Sequence, residues 1–277
     1  MSREHQKMYR AIPKSLWIWR TSLQQLPDVL EYAKRWNIGT LFYSVPPRER
    51  EGLKAIDSAS AKLINKIRRQ DGIKFVALTG DPKWAWRGKR MPKAIQNLIN
   101  IHRHTGGLFD GLQLDVEPQA LKAWRGAKRR DLAEGYYQLI KTVSRQTKDA
   151  KLPLSAATHP AYARVAVPSL GSSMLKSVMP YLDEVGLMAY RNNPRSTFRI
   201  SSLTIKQLAV GNTRWWLGVT TQNSRVAHKI SYFGKSQDYF LKSLSQLDTM
   251  AKACRAHKTY AGIAIQHYKT VTQLTGR

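Results

Sequence analysis

Short apolar runs with strand-like composition alternate along this chain with longer stretches whose apolar residues recur at helical spacing. Eight strand-like runs can be counted: SLWIWR (15 to 20), TLFYSVP (40 to 46), IKFVALTG (73 to 80), GLQLDVEP (111 to 118), LPLSAATHP (152 to 160), EVGLMAY (184 to 190), RWWLGVTTQ (214 to 222) and YAGIAIQHY (260 to 268). Segments such as SLQQLPDVLEYAKRWNIG, AKRRDLAEGYYQLIKTVSRQTK and SQDYFLKSLSQLDTMAKACRAHK lie between them and read as amphipathic helices. Ser22 is the expected N-cap of the first helix, and Gly39 the residue just past its end. RNNPRSTFRISS, after the sixth strand, reads as a loop.

Regular alternation of this kind predicts βα units around a parallel sheet. Eight strands with seven intervening helices fit a closed (β/α)8 TIM barrel better than an open doubly wound sheet, and no G-x-G-x-x-G follows the first strand. A length of 277 residues suits one such domain over 1–277, with residues 1–14 expected as a loosely ordered basic segment.

The barrel reading gives the fourth strand its meaning. In GLQLDVEP, side chains alternate, so Leu112, Leu114 and Val116 share one face and Gln113, Asp115 and Glu117 the other. The apolar face must meet the helices, which sends Gln113 and both carboxyl groups into the barrel. Burying two neighbouring carboxylates costs several kcal/mol unless they are hydrogen-bonded or protonated, and their repulsion raises one pKa. Glu117 is nearer the carboxyl end, where barrel active sites open, and is the expected general acid; Asp115, deeper, orients groups or stabilises charge. A structural acid pair satisfied by Arg or Tyr is the bland alternative.

Other strand ends place Arg20, Asp81, His159, Gln222 and His267 on the same face. Trp84 and Trp86 follow the third strand, where they either present flat apolar faces to a ligand or pack as core or lid. His102 and His104 have no third ligand at metal spacing and read as helix-surface residues. FGKSQ (233 to 237) is not a phosphate loop, because Lys229 stands where the upstream glycine belongs. No G-x-S-x-G elbow is present.

Charge then changes the picture of the partner. Lys and Arg number 46 against 18 Asp and Glu, a formal +28 spread along the chain, so polyanions are drawn to it. With no zinc-finger spacing, basic zipper or RNP-like motif, nucleic acid is expected only through non-specific charge. No run approaches the roughly 20 apolar residues of a membrane span. The single cysteine, Cys254, excludes an internal disulfide framework. The amino terminus does not read as a secretory signal, which leaves a cytoplasmic location or a secreted one with the signal removed.

The run Asp110, Gly111, Leu112, Gln113, Leu114, Asp115, Val116, Glu117 resembles the D-G-x-D-x-D-W-E fourth strand of glycoside hydrolase family 18, the chitinase-like barrels. LSAA (154 to 157), LMAY (187 to 190), WLGV (216 to 219) and GIAIQ (262 to 266) resemble that family's fifth to eighth strands, so the likeness spans most of the chain. It implies that Glu117 protonates a glycosidic oxygen while Asp115 and the Tyr190 hydroxyl position a substrate N-acetyl group for attack at the anomeric carbon. This substrate-assisted retention needs no metal or organic cofactor. Asp110, Gln113, Arg191 and Gln266 join the substrate-binding set by position. Three of these depart from the pattern: Gln113 replaces a proton-sharing aspartate, Arg191 an aspartate, and Gln266 a tryptophan that floors the sugar site. The expectation is a glycosidase acting on an N-acetylamino-sugar-containing, acidic polysaccharide or glycan; the alternative is a catalytically inactive barrel that binds glycans or polyanions.

Overall fold

The computed structural model describes residues 9–45, 58–88, 90–224 and 226–276. Eight parallel strands, β1 (Lys14–Ile18), β2 (Ile38–Ser44), β3 (Lys74–Thr79), β4 (Gly111–Leu114), β5 (Leu154–Thr158), β6 (Glu184–Leu187), β7 (Arg214–Thr220) and β8 (Tyr260–Gln266), pair in sequence order. The barrel closes through β8 against β1, with Ser15 opposite Ala264 and Trp17 opposite Gln266. A main helix follows each strand: α1 (Leu26–Trp36), α2 (Ser58–Gln70), α3 (Lys93–His104), α4 (Arg129–Asp149), α5 (Met174–Val178), α6 (Pro194–Leu208), α7 (Gln237–Ala253) and α8 (Tyr268–Thr275), with short helices Trp84–Arg87 and Ala227–Ile230 ahead of α3 and α7. None among the described residues is long and apolar enough to cross a membrane.

Strand alternation separates two apolar layers. Leu112, Leu114 and Val116 are fully buried in the layer between strands and helices, with Leu16, Leu41, Phe75, Val185 and Ile263. Inside the barrel, Trp17, Phe42, Val76, Leu78, Trp216 and Ala264 form a separate aromatic-rich core. Ring centroids of Trp17 and Phe42 lie 5.7 Å apart, and those of Phe42 and Trp216 6.4 Å. Gly186 makes room for this filling, since a Cβ there would stand 3.0 Å from the Trp17 ring.

Local chemistry accounts for the differences from the sequence expectations. Ser22 caps a single 3-10 turn, Leu23–Gln25, and α1 starts only at Leu26 with Pro27 in its first turn. Asn37, left-handed at φ 53°, ends α1, and Gly39 falls inside β2. The asparagine does what glycine was expected to do, because its short polar side chain tolerates that conformation. The stretch after β6 expected as a loop is mostly α6: Asn193 caps it by accepting from Ser196 N–H at 3.1 Å, and Pro194 supplies the preset φ of the first position. His102 is buried and accepts the Phe109 N–H at 3.2 Å, whereas His104 is exposed.

Part of the described amino-terminal segment is packed. Tyr9 and Ile12 are buried, and the buried Lys14 ammonium donates to the carbonyls of both, to Ile12 at 2.6 Å, while standing over the Tyr9 ring. Residues 1–8 of the expected loose segment, and Pro46 of the expected second strand, lie outside the described residues.

Candidate active site

Regular β4 ends at Leu114, but the chain stays extended long enough for Asp115 N–H to reach the Thr79 carbonyl at 2.9 Å. The next turn, Pro118–Ala120, begins directly after Glu117. Both carboxylates therefore stand just beyond the strand, at the carboxyl-end rim. Gly80 permits this approach: a Cβ there would lie 1.9 Å from the Asp115 carbonyl oxygen.

Below them, Gln113 is fully buried inside the barrel, and its Oε1 accepts the Trp17 indole N–H at 2.5 Å. Indole only donates, so this bond fixes the amide with Nε2 as the free end, which has no partner among the described residues. Above it, Asp115 is half-buried, with Oδ1 closed off from solvent and likewise without a partner. Burial, and then the Glu117 charge, push the Asp115 carboxyl up to about 8. Burial also raises Glu117 above the usual carboxylate range. The pair thus holds a proton at neutral pH.

Tyrosines close around the two acids. The Tyr190 phenol is raised by burial and by the charges of Asp115 and Glu117, and those of Tyr136 and Tyr162 are raised in the same sense. All three stay neutral and can donate. Glu117 Oε2 accepts from Gln119 Nε2 at 2.7 Å, and Gln119 Oε1 in turn accepts the Tyr162 hydroxyl at 2.6 Å.

Glu117 lies between two open clefts. One, of about 520 Å³, is lined by Trp19, Arg20, Asp115, Glu117, Gln222, Gln266, His267 and Lys269. The other, of about 330 Å³, is lined by Glu117, His159, Tyr190, Arg191 and Arg164 over a floor that includes Met188 and Ile200. Clefts of this size suit small-molecule or sugar-unit ligands. The structure thus brings together Asp115, Glu117, Tyr190, His159, Arg191, Arg20, Gln222, Gln266 and His267, which six different strand ends supply. His159 Nδ1 accepts the Ala161 N–H at 3.1 Å, and its imidazole is pushed down by burial and by Arg191. The His267 imidazole is pushed down by burial and by Lys269 and Arg20.

Five expected residues are not brought to these clefts: Gln113 lies sealed beneath them inside the barrel, and four others stand elsewhere. Asp110 precedes β4 and lies at the barrel's opposite end, where Arg68 grips it in a bidentate pair (2.8 and 2.7 Å) and Phe75 N–H adds 2.8 Å. That arrangement is structural: it ties α2 to the starts of β3 and β4. Asp81 accepts the Lys83 N–H at 2.8 Å and shapes the turn into the short helix Trp84–Arg87. Trp84 packs on the outer core and Trp86 is exposed, and neither lines the two clefts.

Other cavities do not compete for the chemistry. One of about 610 Å³ at the amino ends of the strands contains Asp110, Asp183, Glu184 and Arg214, but these acids are already engaged. Asp183 accepts the Leu154 N–H at 2.8 Å, and Glu184 binds Arg214 and the Trp216 indole, both at 2.9 Å.

Several residues in or beside the clefts escaped sequence reasoning. Trp19 is one that alternation from Trp17 could have found; Arg164 sits in the turn after β5 and Lys269 in the first turn of α8, while Gln119 and Tyr162, outside the cleft linings, reach Glu117 through turns no periodicity reveals.

No protein-family model matches the sequence, and comparison with curated proteins finds no match. Solved structures do resemble the fold. A family 18 chitinase from Pseudoalteromonas aurantia superposes with TM-score 0.63 at 12% identity, covering 95% of this chain and 96% of the other. A family 18 N-acetylglucosaminidase from Paenibacillus barengoltzii gives TM-score 0.56 at 13% identity, covering 95% and 98%. For a group IV chitinase from Ostrinia furnacalis the TM-score is 0.49 at 17% identity, covering 76% of this chain and 66% of the longer relative. Across nearly its whole length, the chain has the closed (β/α)8 fold of the family 18 glycoside hydrolases.

Proposed function

We propose that this protein is a glycosidase that cleaves an N-acetylamino-sugar-containing, acidic glycan, with Glu117 as the proton donor. The observation that carries the reading is the position of Glu117: a carboxyl group with raised proton affinity, standing between two open clefts beside a deeper carboxyl group. A sugar unit in each cleft sets the intervening glycosidic oxygen over Glu117. Proton transfer to that oxygen releases the leaving sugar.

On the other side of the bond, Asp115 and the neutral Tyr190 phenol hold the substrate's N-acetyl group so that its carbonyl oxygen attacks the anomeric carbon. Water then opens the resulting ring, with Glu117 taking back a proton, and the anomeric configuration is retained. Gln113 supplies an amide N–H below Asp115 where an acid would share its proton, so Asp115 shares protons with Glu117 alone. Chitinases and an N-acetylglucosaminidase among the structural neighbours support the N-acetylated substrate. Arg191 and the +28 charge support acidic groups on it.

The test is cleavage of end-labelled glycans, neutral and acidic, N-acetylated and not, by the wild type beside Glu117→Gln. Turnover that requires both Glu117 and an N-acetyl group is the expected result. Binding without turnover of any member would instead establish a glycan-binding barrel, the reading that Gln113 and Gln266 permit.

A further inference from the structure

Where acids and bases meet elsewhere on this protein, they pair closely. Lys34 meets Asp71, Arg68 meets Asp110, Arg214 meets Glu184 and Lys252 meets Asp248, all within 2.9 Å. With 46 Lys and Arg against 18 Asp and Glu, many cations have no acid to meet, and each of the two clefts beside Glu117 gathers two of these. Arg164 and Arg191 line one, Arg20 and Lys269 the other, and the only acids in either lining are Asp115 and Glu117. None of the four cations forms an ion pair among the described residues.

Two of the cations are anchored in place. Arg191 donates to the Tyr190 carbonyl at 2.6 Å, and Lys269 donates to the Arg20 carbonyl at 2.7 Å, drawing the ends of β8 and β1 together. Each cleft also holds an imidazole that its cations help keep neutral: His159 beside Arg191, and His267 beside Lys269 and Arg20. Each side of Glu117 therefore offers the same set, two cations and a neutral histidine. A cation set open to solvent, beside a carboxyl pair that holds a proton, recognises an anion better than it recognises a neutral sugar.

We propose that the substrate polymer carries an acidic group, carboxylate or phosphate, on the sugar units at both sides of the bond above Glu117, with Arg164 and Arg191 receiving one and Arg20 and Lys269 the other. The glycosidase reading enters only in naming which bond lies between the two groups; the recognition stands without cleavage. A recurring acidic unit of this kind also favours binding within a chain over binding at its tip, since both clefts must be filled.

Binding to the full-length Glu117→Gln protein, measured by calorimetry over a salt series, tests the proposal. The probes are N-acetylglucosamine oligosaccharides of one length, either neutral, carboxylated on alternate units, or phosphorylated on alternate units. The expected result is tighter binding of one acidic series by roughly tenfold or more at low salt, its preference between carboxylate and phosphate naming the group. Arg164→Gln with Arg191→Gln, and separately Arg20→Gln with Lys269→Gln, should each lose most of that gain and flatten its salt dependence. Lys148→Gln with Lys151→Gln, at the far end of α4, removes the same charge and should change little. Equal binding of neutral and acidic probes overturns the proposal. So does an equal loss from the remote pair, or no loss from one cleft pair. Acid-selective binding with no turnover of any glycan leaves the inference standing and removes the glycosidase, whereas Glu117-dependent turnover of neutral chains alone does the reverse.

Discussion

The side-chain amide of Gln119 donates to Glu117 Oε2 at 2.7 Å, and the Tyr162 hydroxyl, 2.6 Å from Gln119 Oε1, fixes which end of that amide faces the acid. The bond leaves Oε1 of Glu117 as the oxygen that carries the proton. It also opposes burial: donation to the charged form lowers the proton affinity that desolvation raises. Two local turns, Pro118–Ala120 after β4 and Pro160–Ala163 after β5, bring these residues together.

Gln119→Leu should therefore move the alkaline limb of the rate profile upward by on the order of one pH unit, because a hydrogen bond to a charged group is worth about 1.5–3 kcal/mol. The maximal rate should fall on the order of tenfold as the acid loses its fixed orientation. Tyr162→Phe frees the amide to turn over and should act in the same direction but more weakly. A pH profile of kcat and kcat/KM separates this positioning role from simple loss of stability, which would lower active protein without moving the limb.

Asp115 makes stability depend on pH. Its carboxyl sits near 3.9 in the unfolded chain and is raised to about 8 in the fold. Between those values the folded state binds the proton that the unfolded state has released, so stability is fully present below about pH 4 and declines as pH rises toward 8. Asp115→Asn removes this dependence. Thermal melts should show the variant gaining on the wild type as pH rises from 5 to 8, each kcal/mol reading as about 2–4 °C in a domain of this size. A constant difference across that range would refute the account.

Much of this was legible in the sequence, and the limits have physical reasons. Alternation in GLQLDVEP correctly divided Leu112, Leu114 and Val116 from Gln113, because a strand's two faces meet different layers. Motif likeness drew Asp110 into the site, although its place before Gly111 puts it at the entry of the strand, on the wrong end of the barrel. Asn193-Pro194 is a helix start, but a run rich in Arg, Asn and Ser masks it. Gln119 and Tyr162 meet only because two turns fold toward each other, and no period in the sequence encodes that meeting.

Gly80 tests the architecture that sets the carboxylates in place. The Cβ of Gly80→Ala would stand 1.9 Å from the Asp115 carbonyl oxygen, a backbone atom that cannot swing aside. The strands must part, so the variant should lose about 1–3 kcal/mol and most of its activity. Gly39→Ala, also in strand context but with nothing within 4 Å of its Cβ, is the matched control and should melt within about 0.5 kcal/mol of the wild type.

Trp19 extends the inward face of β1 beyond Trp17 and packs against the inner aromatic core while lining the larger cleft. Its indole N–H is buried and has no protein partner among the described residues. A ring held on one side by the core and open on the other presents a flat apolar face, suited to the C–H face of a sugar. Gln266, where a tryptophan floor was the family expectation, lines the same cleft, so Trp19 on the neighbouring strand is the aromatic ring there that a test of sugar stacking should target. Trp19→Ala should raise KM or the dissociation constant by roughly tenfold, about 1–1.5 kcal/mol, for neutral and acidic oligosaccharides alike. Trp86→Ala, on an exposed ring outside both clefts, should leave the same constants unchanged. The reverse pattern would move the sugar platform to the loop after β3.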